Sequence, residues 1–115
     1  MSQDKATQGY WKNLWDGRPC PTPVNPRTPG LGNFVERRYD ALFRRAFEGQ
    51  ETQGARLVEF GCAGSQWLPY FALEFGCRVA GIDYTQNGCG QAEAVLARAG
   101  VEGEVFCRDF FDPPG

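Results

Sequence analysis

Histidine is missing from the 115-residue sequence, which excludes imidazole-based triads and proton transfer by histidine within these residues. Cys-x-x-Cys pairs are also missing, so the spacing of the thiols does not indicate a zinc site. The five cysteines are scattered and odd in number, which favours reduced thiols over a disulfide framework. No apolar run is long enough to cross a bilayer, and the N-terminus lacks the pattern of a secretory signal. We therefore expect a cytoplasmic protein with no metal site and no membrane partner.

An excess of positive charge is absent as well. The formal net charge is −2, which argues against a domain that neutralises nucleic-acid phosphates. The chain is not poor in hydrophobic residues: 42% of its residues are hydrophobic and 14% are aromatic. This composition predicts a folded chain rather than a disordered one. The length limits the chain to one domain at most. These properties leave small molecules as the open class of ligand.

Residues 1–33 differ in composition from the rest and are interpreted as an aromatic, proline-rich leader. Tyr10, Trp11 and Trp15 lie close together in sequence, where they favour either core packing or a cover over a site. The prolines between positions 19 and 29 predict an extended loop, because each lacks a backbone donor and biases the preceding residue away from helix.

Residues 34–115 are interpreted as one partial domain that begins with an amphipathic helix at 34–47, capped by Asn33. The pattern then alternates between strands and helices. Short apolar strands are predicted at 57–60, 77–82 and 104–107, and helical spacing of apolar residues separates them. Ser65 is a plausible N-cap of the second helix, and Gly76 and Gly100 are predicted helix ends. Cys62, Cys77 and Cys107 lie in or beside apolar runs, which favours buried thiols.

The β-α-β-α-β order predicts an α/β fold: a Rossmann-like parallel sheet with helices on both faces, truncated after the third strand. Ligands of such sheets bind at the carboxyl ends of the strands. Glu59, Asp83 and Asp109 each lie at or near a predicted strand end, so three carboxylates are expected at one edge. Phosphate-rich ligands would be repelled there, whereas a ribose diol, an amino group and a sulfonium would fit. S-adenosylmethionine has all three.

The run of residues 57–65 resembles the first motif of class I S-adenosylmethionine-dependent methyltransferases, with Glu59 two positions before the first glycine. Residues 79–83 resemble the second strand of that family, and residues 107–110 its third strand end. The resemblance implies that the methionine portion is held by Glu59 and the loop, the ribose by Asp83, and the adenine by residues of the second and third strand ends. The implied cofactor-binding residues are Glu59, Gly61, Cys62, Ala63, Gly64, Asp83, Tyr84, Asp109 and Phe110.

The sequence departs from this family where Ala63 and Ser65 replace common glycines. The leader is similar to that of small-molecule methyltransferases of the thiopurine methyltransferase type, which implies a small-molecule methyl acceptor. Acceptor residues of the family usually follow the fourth strand, so no catalytic residue is assigned. We expect the 115 residues alone to be inactive, and the first strand to have an unpaired edge.

Two alternatives remain open from the sequence. One is an oxidoreductase domain that binds NAD(P), although Ala63 and Gln66 replace the second and third glycines of the dinucleotide fingerprint. The other is a non-catalytic module that binds S-adenosylmethionine or a partner.

Overall fold

The computed structural model of the chain describes residues 20–108. The aromatic segment of the leader, Asp109 and Phe110 lie outside these residues. A 3₁₀ turn at Leu31–Asn33 precedes three helices and three strands. The elements are α1 (Phe34–Ala46), β1 (Arg56–Phe60), α2 (Leu68–Phe75), β2 (Arg78–Asp83), α3 (Gln86–Ala99) and β3 (Glu104–Cys107).

The three strands form one parallel sheet in the order β1-β2-β3. Residue 56 pairs with residue 78 at one end of β1, and Asp83 pairs with Cys107 at the carboxyl end of β2. Each pair of neighbouring strands is connected through a helix, as parallel strands require. The predicted α/β, Rossmann-like class is confirmed, and β1 is an edge strand in the part of the chain described.

Helices α2 and α3 cover the same face of this sheet. Leu68 of α2, Leu96 of α3 and Val79 of β2 are buried in one hydrophobic cluster, and the two helices contact each other. Side chains alternate between faces along a strand, so Val58 and Phe60 of β1 project from the opposite face. These two side chains are 38% and 66% exposed. The sequence analysis expected helices on both faces of the sheet. The two described crossover helices, α2 and α3, cover one of these faces.

The helix ends follow local backbone chemistry, with two corrections to the sequence analysis. Gly76 and Gly100 end α2 and α3 in left-handed conformations, as predicted. Ser65 does not cap α2: the helix begins later, and the Ser65 hydroxyl accepts from the Trp67 amide at 3.2 Å. Asn33 precedes α1 as predicted, but its side-chain amide donates to loop carbonyls at Asn25 and Thr28 instead of capping the helix.

Helix α1 packs against α2 through aromatic rings and an ion network. Its rings contact those of Trp67 and α2 in mainly edge-to-face geometry; the members are Tyr39, Phe43, Phe47, Trp67, Tyr70, Phe71 and Phe75. The Glu74 carboxylate accepts from Arg27 and Arg44, and Arg44 also pairs with Asp40. The Tyr70 hydroxyl donates to Asp40 at 2.6 Å. The loop before α1 is thereby connected to both helices.

Within 20–108, no helix combines the length and the apolar character that crossing a bilayer requires.

Candidate functional site

The loop after β1 turns sharply because two of its residues have positive φ angles. Gly61 has φ 72° and Ala63 has φ 33°. Alanine seldom adopts such a conformation, so position 63 is a strained site in which glycine would fit more easily. The amides of Gly61 and Cys62 both donate to the Ile82 carbonyl, at 2.7 and 3.1 Å. The turn therefore remains attached to the end of β2.

Asp83 fixes this loop to the beginning of α3. Its Oδ2 accepts from the Ala63 amide at 2.9 Å, and its Oδ1 accepts from the amide and hydroxyl of Thr85. The Thr85 hydroxyl in turn caps α3 by accepting from the Gly88 amide at 3.0 Å. Asp83 is only 7% exposed. One carboxylate thus connects β2, the turn and the helix cap.

Two glycines make this close packing possible. A Cβ at Gly81 would lie 2.6 Å from the Cys62 sulfur, and one at Gly88 would lie 2.8 Å from Asp83 Oδ1. Real Cβ atoms do not approach neighbours so closely, so any side chain at either position displaces the loop or the acid. The sequence analysis did not identify Gly81 or Gly88, although a glycine inside a strand pattern signals close approach.

Glu59 lies in β1 immediately before the turn and is half-buried. Burial raises the pKa of its carboxyl, and a hydrogen bond with Ser65 acts in the opposite direction. Its Oε1 atom is buried and has no hydrogen-bond partner among the residues described. A buried, unpartnered carboxylate oxygen is costly, and a donor on a bound ligand would relieve that cost.

A segment at residues 20–24, which we call the N-terminal strap, lies against the loop. The Val24 amide donates to the Gln66 carbonyl at 2.9 Å, and the Gln66 side chain donates to the Thr22 carbonyl at 2.8 Å. Pro21 packs so closely on Gly64 that a Cβ there would be 3.1 Å from its ring. The sequence analysis predicted an extended loop here but not its contact with the site, because nothing local signals a pairing over more than 40 residues.

The structure brings most of the predicted site residues to one edge of the sheet. Asp83 accepts from the Ala63 amide in the turn, Glu59 lies in β1 just before the turn, and Tyr84 follows Asp83 as a half-buried residue. Asp109 and Phe110 lie outside the described residues, so two of the three predicted acids are seen together. Burial raises the pKa of the Cys62 thiol to about 12, and Cys62 is therefore a packing group at neutral pH.

An apolar groove of about 430 Å³ runs along β1 beside this edge. Glu59 is its one acid, and the other lining residues are apolar or aromatic: Tyr39, Phe43, Phe47, Leu57, Val58, Trp67 and Phe71. The groove shares Glu59 with the predicted site, but it does not include the turn or Asp83. Trp67 contacts the rings of Tyr39 and Tyr70.

Residues 20–108 contain no group of three or more Asp, Glu, Cys or His side chains arranged to hold an ion.

Comparisons with known proteins bear on the fold. No family model matches the chain, and no curated protein matches it. Among solved structures, the X-ray structure of YjhP from E. coli is similar, with a TM-score of 0.51 and 25% identity over 80% of this chain. The match covers 32% of YjhP, so the chain spans about a third of the length of that protein. The similarity supports the Rossmann-like fold.

Proposed function

We propose that this chain is the cofactor-binding portion of an S-adenosylmethionine-dependent methyltransferase that acts on a small molecule. The observation that carries the proposal is the unpartnered, buried Oε1 of Glu59 beside a turn in which most backbone amides donate within the protein. Such an edge offers acceptors and negative charge rather than donors. It therefore favours a ligand with an ammonium, a sulfonium and hydroxyl groups.

Glu59 and Asp83 have different capacities toward such a ligand. The unpartnered oxygen of Glu59 is free to accept from the ammonium of the methionine portion. Asp83 uses both lone-pair sites of Oδ1 and one site of Oδ2 within the protein, which leaves one site for a ribose hydroxyl. The residues therefore fit the group, with Glu59 as the stronger contact and Asp83 mainly as the residue that positions the turn.

The geometry disfavours the dinucleotide alternative. A pyrophosphate is bound by free backbone amides at the turn. Here the amides of Gly61 and Cys62 donate to Ile82, and the amide of Ala63 donates to Asp83. The Ser65 amide donates to the Cys62 carbonyl at 2.6 Å. A pyrophosphate would have to break these bonds while approaching the carboxylate of Glu59.

When bound, the cofactor supplies a methyl group activated by the adjacent sulfonium. The contribution of this chain is to hold the donor in a fixed orientation, because alignment of reactants lowers the barrier of a displacement. Glu59 would orient the amino-acid portion of the cofactor, and the turn fixed by Asp83 would set the distance between that portion and the sheet. The N-terminal strap packs on Gly64 and shields this side of the turn from water.

The proposal is tested by titrating the 115-residue chain calorimetrically with S-adenosylmethionine and, separately, with NADH and NADPH. We expect heat of binding for S-adenosylmethionine alone. In Glu59→Gln, the charged acceptor is lost, and the affinity should fall by about 1.5–3 kcal/mol, or roughly tenfold to 150-fold.

Glu93→Gln is the matched control, since Glu93 is an exposed acid on α3 and its substitution should leave the affinity unchanged. Binding of NADH in preference to S-adenosylmethionine would refute the proposal. An equal loss of affinity in Glu59→Gln and Glu93→Gln would show that Glu59 has no specific role in binding the cofactor.

A further inference from the structure

Two cysteines from different elements meet behind Asp83. Cys89 lies in the first turn of α3, and its sulfur donates to the Asp83 carbonyl at 3.6 Å. Cys107 ends β3 and pairs in register with Asp83 in the neighbouring strand, so its side chain projects from the face that α3 covers. The Cys107 side chain is also among the neighbours that raise the pKa of Cys89. Backbone register and side-chain contact therefore bring both sulfurs to the same residue.

The two thiols differ in access to solvent. Cys107 is exposed, which corrects the expectation that it is a buried thiol, and the reason is its position at the end of an edge strand. Cys89 is 5% exposed. Burial raises the pKa of Cys89, and the neighbouring Cys107 raises it further, so Cys89 stays protonated. An exposed thiol beside a buried one places a sulfur that a peroxide can reach next to a second sulfur that can form a disulfide with it.

We propose that Cys89 and Cys107 are an oxidation site, which hydrogen peroxide converts into a disulfide that joins α3 to β3. The Cys107 sulfur attacks one oxygen of the peroxide, so that an S–O bond forms and the O–O bond breaks. Cys107 becomes a sulfenic acid, and the departing hydroxide takes the Cys107 thiol proton and leaves as water. The Cys89 sulfur then attacks the Cys107 sulfur. The S–O bond breaks, the S–S bond forms, and the hydroxyl group leaves with the Cys89 proton as a second water. Two thiols lose two electrons, which the peroxide receives.

The remaining cysteines differ from Cys107 in burial or in position. Cys62 is buried, and burial raises the pKa of its thiol to about 12; Cys77 is buried beside the opposite end of β2. Cys20 belongs to the N-terminal strap, where its thiol contacts the Pro21 carbonyl. An S–S bond is about 2.05 Å long, so the sulfurs of Cys89 and Cys107 must approach each other to that distance for the disulfide to form.

The disulfide would act on the region around Asp83. Its formation removes the Cys89 proton that now donates to the Asp83 carbonyl. The Arg108 amide donates to the same carbonyl at 2.7 Å, so β3 would remain attached there while α3 became covalently linked to it. The inference concerns the thiols alone and does not depend on the identity of the ligand.

The test treats the reduced 115-residue chain with hydrogen peroxide, blocks the remaining thiols by alkylation and analyses tryptic peptides by mass spectrometry. Cleavage at Arg98 separates the two cysteines, so a linked pair of peptides 79–98 and 99–108 reports the bond directly. We expect this pair and an intact mass lower by about 2 Da, the loss of two hydrogens. Cys107→Ser, an exposed change, should abolish it, whereas Cys20→Ser should leave its yield unchanged.

In Cys89→Ala, Cys107 has no partner, and a sulfenic acid at Cys107 should accumulate and react with a cyclic 1,3-dione probe. The same oxidation in urea should distribute linkages among all five cysteines, because the selectivity comes from the fold. The inference is overturned if the folded chain gives no 79–98/99–108 pair, if Cys107 links to Cys20 or to a second chain instead, or if urea leaves the selectivity intact.

Discussion

Gly81 is the residue on which the packing of the turn depends most directly. A Cβ at this position would lie 2.6 Å from the sulfur and 2.9 Å from the Cβ of Cys62. Gly81→Ala should therefore displace the turn and lower the free energy of unfolding by about 1–3 kcal/mol, the usual cost of overpacking a core. Urea denaturation monitored by tryptophan fluorescence measures the change.

The double variant Gly81→Ala/Cys62→Ala separates this contact from other effects. Removing the sulfur frees the space, so the cost of the alanine should be smaller in that background, with a coupling energy of about 0.5–3 kcal/mol. Gly90→Ala is the control, because a Cβ there meets no described atom within 4 Å and should stabilise α3 by about 0.5–1 kcal/mol. If the effects of Gly81→Ala and Cys62→Ala on the free energy of unfolding add strictly, the clash between these two positions is not the cause of the loss.

For single residues, the sequence predicted where the side chains of the site lie better than it predicted which hydrogen bonds they form. The spacing placed Glu59, the turn and Asp83 at one edge, and in the structure Asp83 contacts the turn while Glu59 lies in β1 just before it. The spacing did not predict that Asp83 would accept from Ala63 and Thr85, because it does not reveal which lone pairs the protein itself uses. Ala63 was recognised as a departure from a common glycine, and its φ of 33° makes it a strained position.

The ion network is the feature of the helices that responds to pH. A hydrogen bond from Arg27 is the largest influence that lowers the pKa of Glu74, and a bond from Arg44 acts in the same direction. Glu74 has a side chain only 8% exposed. A depressed folded-state pKa stabilises the protein above the unfolded value near 4.5, and this contribution is lost as the pH falls through the folded value.

Glu74→Gln should accordingly lower the free energy of unfolding at pH 7 by about 1–2 kcal/mol, because charge-assisted bonds are lost while solvent screens the exposed Arg27. The difference from the unmodified chain should shrink as the pH falls below about 4.5. Denaturation curves between pH 3 and pH 7 measure it. Glu48→Gln, at an exposed acid after α1, should show no such trend; a pH-independent difference for Glu74→Gln would contradict the ionic origin.

The elements themselves were largely readable from periodicity. Helix α1 was predicted at 34–47 and is found at Phe34–Ala46, and the glycine ends of α2 and α3 were correct. The start of α2 was predicted too early, because Ser65 bonds within the turn rather than at the helix. The bonds of Glu74 to Arg44 and Arg27 span 30 and 47 residues, so they depend on how the helices dock and leave no local pattern.

The exposed sheet edge at β1 is the feature of the described fold that we expect to cause self-association. In the part of the chain described, β1 has β2 on one side only, and its Val58 and Phe60 are exposed on the face away from α2 and α3. Exposed apolar edge strands pair with other chains. The 115-residue chain should therefore associate with increasing concentration, which sedimentation velocity detects.

Val58→Lys should weaken this association, since a lysine on an edge strand opposes pairing. Leu73→Lys is the matched control: Leu73 is 59% exposed on α2, away from the edge, and the change should leave the association unaltered. A monomeric unmodified chain at all concentrations, or an equal effect of both lysines, would show that β1 is not the interface.

The parallel direction of the strands follows from the alternation of elements, and it was predicted correctly. The position of the N-terminal strap was not, because its bonds to the turn join residues 42 to 44 positions apart. The third acid of the predicted site, Asp109, remains a sequence prediction.

Those bonds have a thermodynamic consequence for ligand capture. The turn is restrained from both directions, by the Val24 amide at Gln66 and by Asp83 at Ala63, before any ligand arrives. Loops that become ordered only on binding spend part of the interaction energy on lost chain entropy. Because this turn is already ordered before binding, little of the interaction energy with the ligand should be offset by a loss of chain entropy.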